Sequence, residues 1–175
     1  MSSLYAQAWR IFAEKHDPLI VHLLRHAKTE MSSISGRDFD RRLAPKGHQQ
    51  CSELQKIVQS NISSKTNIFC SSANRTKETA GIVFDEGRSI EYFESLYLTD
   101  LSGLLASIWK QESDTDILIV GHNFGISELA SYLIGKQVLM KTGGFVSIDF
   151  KGFTAKEISN SNGIMILNHR CTLGF

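Results

Sequence analysis

Charge of one sign is what this sequence most lacks. Nineteen basic and 18 acidic residues leave a formal net charge of +1, so no global field attracts nucleic acid or an anionic membrane, and any anion site must be built locally. Cysteine is scarce too. Cys51, Cys70 and Cys171 are an odd set at spacings that match neither a zinc nor a disulfide framework, which argues against a disulfide-stapled secreted fold and points to a reducing, cytoplasmic setting. Long apolar runs are also missing: residues 1–17 carry Arg10, Glu14, Lys15 and Asp17, a pattern of neither a signal peptide nor a membrane span. No glycine-rich nucleotide loop, internal repeat or low-complexity linker interrupts the chain. With 175 residues, 42% of them hydrophobic, the chain can bury a sizeable core as one domain over 1–175. We divide it into an N-terminal helix (1–17), a core (19–150) and a C-terminal strand region (151–175).

What is present is an alternation of two periodicities. Leu4, Tyr5, Ala8, Trp9 and Phe12 share one helical face, which Asp17-Pro18 closes; such a stripe docks on the body of a protein, a dimer contact or membrane anchor being the alternatives. From Leu19 on, the pattern predicts a strand over Leu19–Leu24, a helix over Gly47–Val58, a strand over Asn67–Ser71 and a helix over Asn74–Phe84. A strand follows over Ser89–Phe93, then a helix carrying Leu101, Leu104, Leu105, Ile108 and Trp109 on one face. Ile117–Val120 reads as the central strand. The next helix buries Ile126, Leu129, Ala130, Leu133 and Ile134, and Gly135 ends it. Late strands over Phe145–Phe150 and Ile164–Leu167 read as antiparallel and near an edge. The fold class predicted is a three-layer α/β/α domain with a mostly parallel central sheet and an antiparallel edge.

In such a sheet the carboxyl ends of parallel strands converge on one crevice. Leu24-Arg25-His26-Ala27 and Gly121-His122-Asn123 each stand where a strand ends, and Ser71 to Arg75 follow a third. Phosphoryl transfer to an enzyme needs an unprotonated nucleophile and donors around the equatorial oxygens. His26 can supply the first if its other nitrogen donates to a fixed acceptor such as a backbone carbonyl. Arg25 and Arg75 can supply the second with planar, permanently charged forks. His122 adds a further donor, as do backbone N–H groups near Asn123 and Phe124 at a helix start. His16, His22, His48 and His169 read as structural or solvated, and Arg37, Arg41, Arg42 and Arg88 as surface charges, with Arg37, Arg41 or Arg42 able to border the pocket. Cys70 and Arg75 fall one residue short of the cysteine-phosphatase loop. His22 and His26, four apart on a strand, are too far separated to share an ion, so no metal is expected.

The segment Leu24-Arg25-His26-Ala27-Lys28-Thr29-Glu30 resembles the Arg-His-Gly signature of the histidine phosphatase superfamily, which includes the phosphoglycerate mutases. Asp38 to Gly47, Cys70 to Ala80 with its Ser-x-x-x-Arg-x-x-x-Thr-Ala spacing, Val120-Gly121-His122-Asn123 and the Thr142-Gly143-Gly144 turn are similar, in order, to the short SixA-type branch. The resemblance implies a phosphoglycerate mutase-like fold and a phosphorylated nucleophile at His26. It also implies a phosphate pocket of Arg25, Arg75 and His122, with Asn123 and Thr29 adding substrate contacts, and no cofactor. One departure matters: Glu94-Ser95-Leu96-Tyr97-Leu98-Thr99-Asp100 runs straight into a helix where larger members insert a substrate-walling segment and an acid. A shallow pocket is therefore expected, with Glu94, Asp38 and Asp40 as candidate proton donors. The expected substrate is protein phosphohistidine, whose labile bond asks little of an acid. A small phosphomonoester, or phosphate recognition without turnover, are the alternatives. The protein is expected to be a monomer that binds neither nucleic acid nor membrane.

Overall fold

Six apolar segments pair into one sheet. They are β1 (Ile20–Arg25), β2 (Asn67–Ser71), β3 (Ile90–Phe93), β4 (Ile117–Gly121), β5 (Phe145–Asp149) and β6 (Ile164–His169), in the order β3-β2-β4-β1-β5-β6. The computed structural model describes residues 19–111 and 115–171, so the N-terminal helix expected over 1–17 lies outside the described residues. Helices α1 (Pro45–Asn61), α2 (Asn74–Val83), α3 (Leu101–Trp109) and α4 (Gly125–Ile134) connect the strands. Pairing is parallel from β1 through β4 and β2 to β3, and antiparallel from β1 to β5 to β6. This is the predicted mixed sheet with its antiparallel edge.

The crossovers explain the layers. The chain moves outward from β1 through β2 to β3, then reverses to insert β4 between β2 and β1; right-handed connections running in opposite senses put their helices on opposite faces. Alternation along β1 shows both faces. Val21 and Leu23 pack with Leu104, Leu105 and Ile108 of α3 and Ile126, Leu129 and Leu133 of α4. Leu24 packs instead with Cys51, Leu54 and Val58 of α1 and Ala80 and Val83 of α2. β4 lies inside the sheet and is buried throughout, as its unbroken apolar run requires. His22 takes the packed-core role: it is buried, stacked on Phe145 at 5.7 Å, with Nδ1 2.8 Å from Ser147 Oγ.

Helix boundaries follow local chemistry. α1 starts two residues earlier than its apolar period suggests, because Pro45 suits the first turn, where its missing N–H is no loss. α4 stops at Gly135, which takes up the left-handed conformation at φ 67°. At the edge, β6 carries a bulge: Ser147 pairs with Leu167 and Ile148 with Met165, leaving Ile166 as the extra residue. Met165 therefore packs on the α3/α4 side and Leu167 on the α1/α2 side, while Ile166 is exposed. Among the described residues no helix is long and apolar enough to cross a membrane.

Candidate active site

The two histidine motifs meet because β1 and β4 are neighbours in register. Arg25 pairs with Gly121, and the His26 amide donates to the Gly121 carbonyl at 3.1 Å. Three further contacts fix the backbone that follows β1. The Gly143 amide donates to the His26 carbonyl at 3.1 Å, Ala27 N–H to Thr79 Oγ1 at 3.1 Å, and Lys28 N–H to Gln50 Oε1 at 2.8 Å. Thr79 stands one helical turn from Arg75 on α2, so the Arg-x-x-x-Thr spacing sets a guanidinium and a clamp for the His26 segment on one helix face.

Each imidazole has its protons placed by its partners. His26 Nδ1 lies 2.8 Å from the Ala27 carbonyl oxygen; a carbonyl only accepts, so Nδ1 carries the hydrogen and Nε2 keeps its lone pair. Burial pushes the His26 pKa down to about 3; the Ala27 hydrogen bond opposes this, and the charges of Arg75, Arg25 and Arg41 reinforce it. The ring is neutral at any ordinary pH. The His122 ring lies 5.2 Å from that of His26. Arg75 Nε donates to its Nδ1 at 3.2 Å, which leaves the hydrogen on Nε2, 2.8 Å from Ser71 Oγ. Burial, then the neighbouring His26 and Arg75, lower its pKa to about 3 as well.

Arg75 is buried and held on three sides: by His122, by the Asp38 carbonyl at 2.7 Å from Nη1, and by Asp38 Oδ2 at 2.9 Å from Nη2. A guanidinium has five N–H bonds, so two remain for a ligand. Asp38 also receives Arg41 Nη1 and the Tyr97 hydroxyl, each at 2.8 Å. Burial alone would raise its pKa, but hydrogen bonds from Arg41 and Tyr97 and the charge of Arg75 outweigh that and bring it to about 2. Tyr97 sets its ring edge-on to His122 at 5.5 Å and under the Arg75 guanidinium at 5.6 Å. Arg25 donates from Nη1 to the Met140 carbonyl at 2.9 Å, while its buried Nε has no protein acceptor.

The remaining candidates are placed differently. The Thr29 hydroxyl accepts from Arg41 Nη2 at 2.6 Å. Asn123 donates to the Met140 carbonyl at 3.1 Å and accepts from Ser127, so its amide braces the segment before β5. Asp40 faces Arg37 and Ser35. Glu94 is exposed on the 3₁₀ turn Glu94–Leu96, from which the chain passes through Tyr97 to α3, capped by Asp100. Arg41, one of three arginines read as able to border the pocket, reaches Asp38 and Thr29, and Ser71 and Tyr97 join the constellation with no role expected of them. Tyr97 lies in the segment expected to be short, and its position beyond β3, at the carboxyl edge, was the available signal. Beside the site, a groove of about 480 Å³ is lined by Glu30, Ser33, Ile34, Asp40, Arg42 and Asn74, among other residues.

The site thus brings two neutral histidines together with guanidinium groups at the carboxyl edge of an α/β sheet. Residues 21–97 match the model of the histidine phosphatase superfamily, branch 1. An uncharacterised chloroplastic protein of Arabidopsis thaliana is 32% identical over 133 residues, covering 69% of this chain and 61% of that protein. An uncharacterised protein of Mycobacterium leprae (strain TN) is 32% identical over 133 residues, covering 75% of this chain and 76% of that one. The chain thus spans less than two thirds of the Arabidopsis protein. Among solved structures, a SixA assigned as a phosphohistidine phosphatase from Nakamurella multipartitia superposes with a TM-score of 0.77 at 20% identity, covering 90% and 98% of the two chains. A protein histidine phosphatase SixA complexed with tungstate gives 0.70 at 15%, covering 87% and 97%. These likenesses establish the fold as phosphoglycerate mutase-like. The chain belongs to the histidine phosphatase superfamily.

Proposed function

We propose that this protein hydrolyses a phosphorylated substrate through a phosphohistidine intermediate on His26, its substrate being phosphohistidine on another protein. The observation that carries this is the Nδ1–H to Ala27 carbonyl bond, which leaves Nε2 as a neutral nucleophile beside three guanidinium groups. Nε2 gives its lone pair to phosphorus while the bond to the leaving atom breaks, and that atom keeps the pair. Water then attacks the same phosphorus and the bond to His26 breaks. Nε2 recovers its lone pair, and the water's proton passes to phosphate or solvent. Arg25 Nε and the two remaining Arg75 donors take the phosphoryl oxygens, where charge collects. The His122 ring completes the pocket wall, and Asn123 and Thr29 add substrate contacts. The tungstate in a solved SixA, a tetrahedral oxyanion, supports this reading.

The choice of substrate rests on the acid. Asp38 is kept ionised by Arg41, Tyr97 and Arg75, Asp40 is engaged by Arg37 and Ser35, and Glu94 is exposed. A site without a committed proton donor serves a labile phosphoramidate better than an alkyl ester, whose alkoxide is a poor leaving group. The open groove, with Ile34 in its wall and Met31 exposed nearby, fits a side chain carried on a protein. Turnover of a phosphohistidine peptide and an alkyl phosphate, measured side by side, tests this. The expected result is faster phosphohistidine hydrolysis, lost by roughly 10³-fold or more in His26→Ala. Faster alkyl phosphate hydrolysis would indicate a phosphomonoesterase. Phosphate binding without turnover by the parent protein would indicate a recognition module.

A further inference from the structure

Away from the histidine pair, three chemically apt side chains converge on one point. Glu53 projects from α1, His169 ends β6, and Cys171 lies two residues beyond, and their ligand atoms all fall within 4.8 Å of one another. His169 Nε2 is 3.3 Å from Glu53 Oε1, and Cys171 Sγ is 3.1 Å from Glu53 Oε2. Around a tetrahedral zinc ion, with bonds of about 2.0 Å to nitrogen and oxygen and about 2.3 Å to sulfur, such atoms stand roughly 3.3–3.6 Å apart. The two spacings to Glu53 come within a few tenths of an ångström of that range, and the His169 and Cys171 ligand atoms lie within 4.8 Å of each other. His169 Nε2 is buried and, although close to the Glu53 carboxylate, makes no hydrogen bond to it. That ring nitrogen is thus left without a hydrogen-bond partner beside the cluster.

The fold builds this meeting. The bulge at Ile166 shifts the register, so that Leu167 and His169 face the α1 side of the sheet. Cys171 is pressed between α1 and the turn after Met140: a Cβ on Gly143 would lie 3.4 Å from Gln50 Cβ and 3.5 Å from Cys171 Cβ. Glu53 is one turn of α1 beyond Gln50, on the helix flank beside the sheet. A thiolate, an imidazole and a carboxylate are the donors that select zinc or its cobalt surrogate over magnesium or calcium.

We infer that Glu53, His169 and Cys171 form a zinc-class metal site that staples the end of edge strand β6 to α1, separate from the His26 centre. Three protein ligands leave the fourth position to water. Binding would displace the thiol proton, so the site fills more tightly as pH rises.

Cobalt(II) titrated into the full-length protein, kept reduced with a phosphine, reads the site directly. One equivalent should produce a thiolate-to-cobalt charge-transfer band, which added zinc abolishes, and zinc should raise Tm. Cys171→Ser should remove the band, Glu53→Gln and His169→Gln should weaken binding, and Cys70→Ser should leave both readouts intact. Glu53 is partly exposed, so its variant tests the ligand set without threatening the core. The proposal is overturned if the parent shows no band, if the band survives in Cys171→Ser, or if zinc shifts the Tm of parent and Glu53→Gln equally. Phosphatase activity is not a readout, so neither outcome bears on the role of His26.

Discussion

At the scale of single residues, the site is held together by Asp38. Its backbone carbonyl and its carboxylate both take Arg75, and the carboxylate also takes Arg41 and Tyr97. That makes Asp38 a positioning group for the phosphate-binding arginine under the proposed function, not a proton source. Asp38→Asn keeps the shape and loses the charge, so Arg75 should wander and KM should rise while kcat changes less. The side chain is partly exposed, which moderates the effect to about tenfold in kcat/KM. Tyr97→Phe removes one donor to the same carboxylate and should cost a few-fold, chiefly in KM. Steady-state kinetics on one substrate check both; a collapse of kcat in Asp38→Asn with KM unmoved would return Asp38 to the acid's role. Arg25, His26 and His122 stood out in the sequence because each lies at a strand end inside a motif, and Arg75 because it follows a strand by four residues within one. Tyr97 was not, because nothing in a lone tyrosine within Glu94–Asp100 tells that its hydroxyl reaches a residue 59 positions earlier.

At the scale of elements, what positions His26 is a close approach of two backbones. The loop after β1 folds back on the segment before α1: Glu30 N–H donates to the Arg42 carbonyl and Ala44 N–H to the Lys28 carbonyl, each at 3.0 Å, and Thr29 bridges to Leu43. Gly47 in the first turns of α1 lies against the Lys28 carbonyl oxygen, and any Cβ there would overlap it. Gly47→Ala must therefore push α1 away from a loop two residues past His26. It should destabilise the fold by about 1–3 kcal/mol and reduce turnover more than its stability loss alone would. Denaturant melts and kinetics on the folded fraction separate the two effects; full activity would show that the loop adjusts freely. Strand and helix positions could be read from period because both sheet faces are covered, so each buried strand shows as an apolar run. The bulge in β6 could not, since Ile164, Met165, Ile166 and Leu167 are all apolar and offer no alternation to break. The meeting of Glu53 with His169 was hidden for the same reason: it depends on that bulge and on a pairing across more than a hundred residues.

For the whole molecule, the buried histidines set the response to acid. His22, on β1 and stacked on Phe145, has its pKa lowered to about 4 by burial, and His26 and His122 are lowered to about 3. In the unfolded chain each returns to about 6.5, so between those values the unfolded state binds more protons and acid favours it. The stability they confer is fully present above about pH 6.5 and is withdrawn as pH falls toward 4. Near pH 5 the three together give a slope of about 4 kcal/mol per pH unit. Against a total stability of roughly 5–15 kcal/mol, that slope should unfold the protein before the histidines titrate in the native state. Asp38 works in the same direction only below the ordinary carboxylate range, after the histidines have acted. His22→Leu with Ser147→Ala removes one titrating group and its partner from the core together. It should cut the slope near pH 5 by about one third and move the acid midpoint downward, while leaving the His26 pair in place. Urea melts at half-unit pH steps between pH 4 and 8 measure the slope, and an unchanged slope in the double variant would show that His22 does not carry its share of the acid sensitivity.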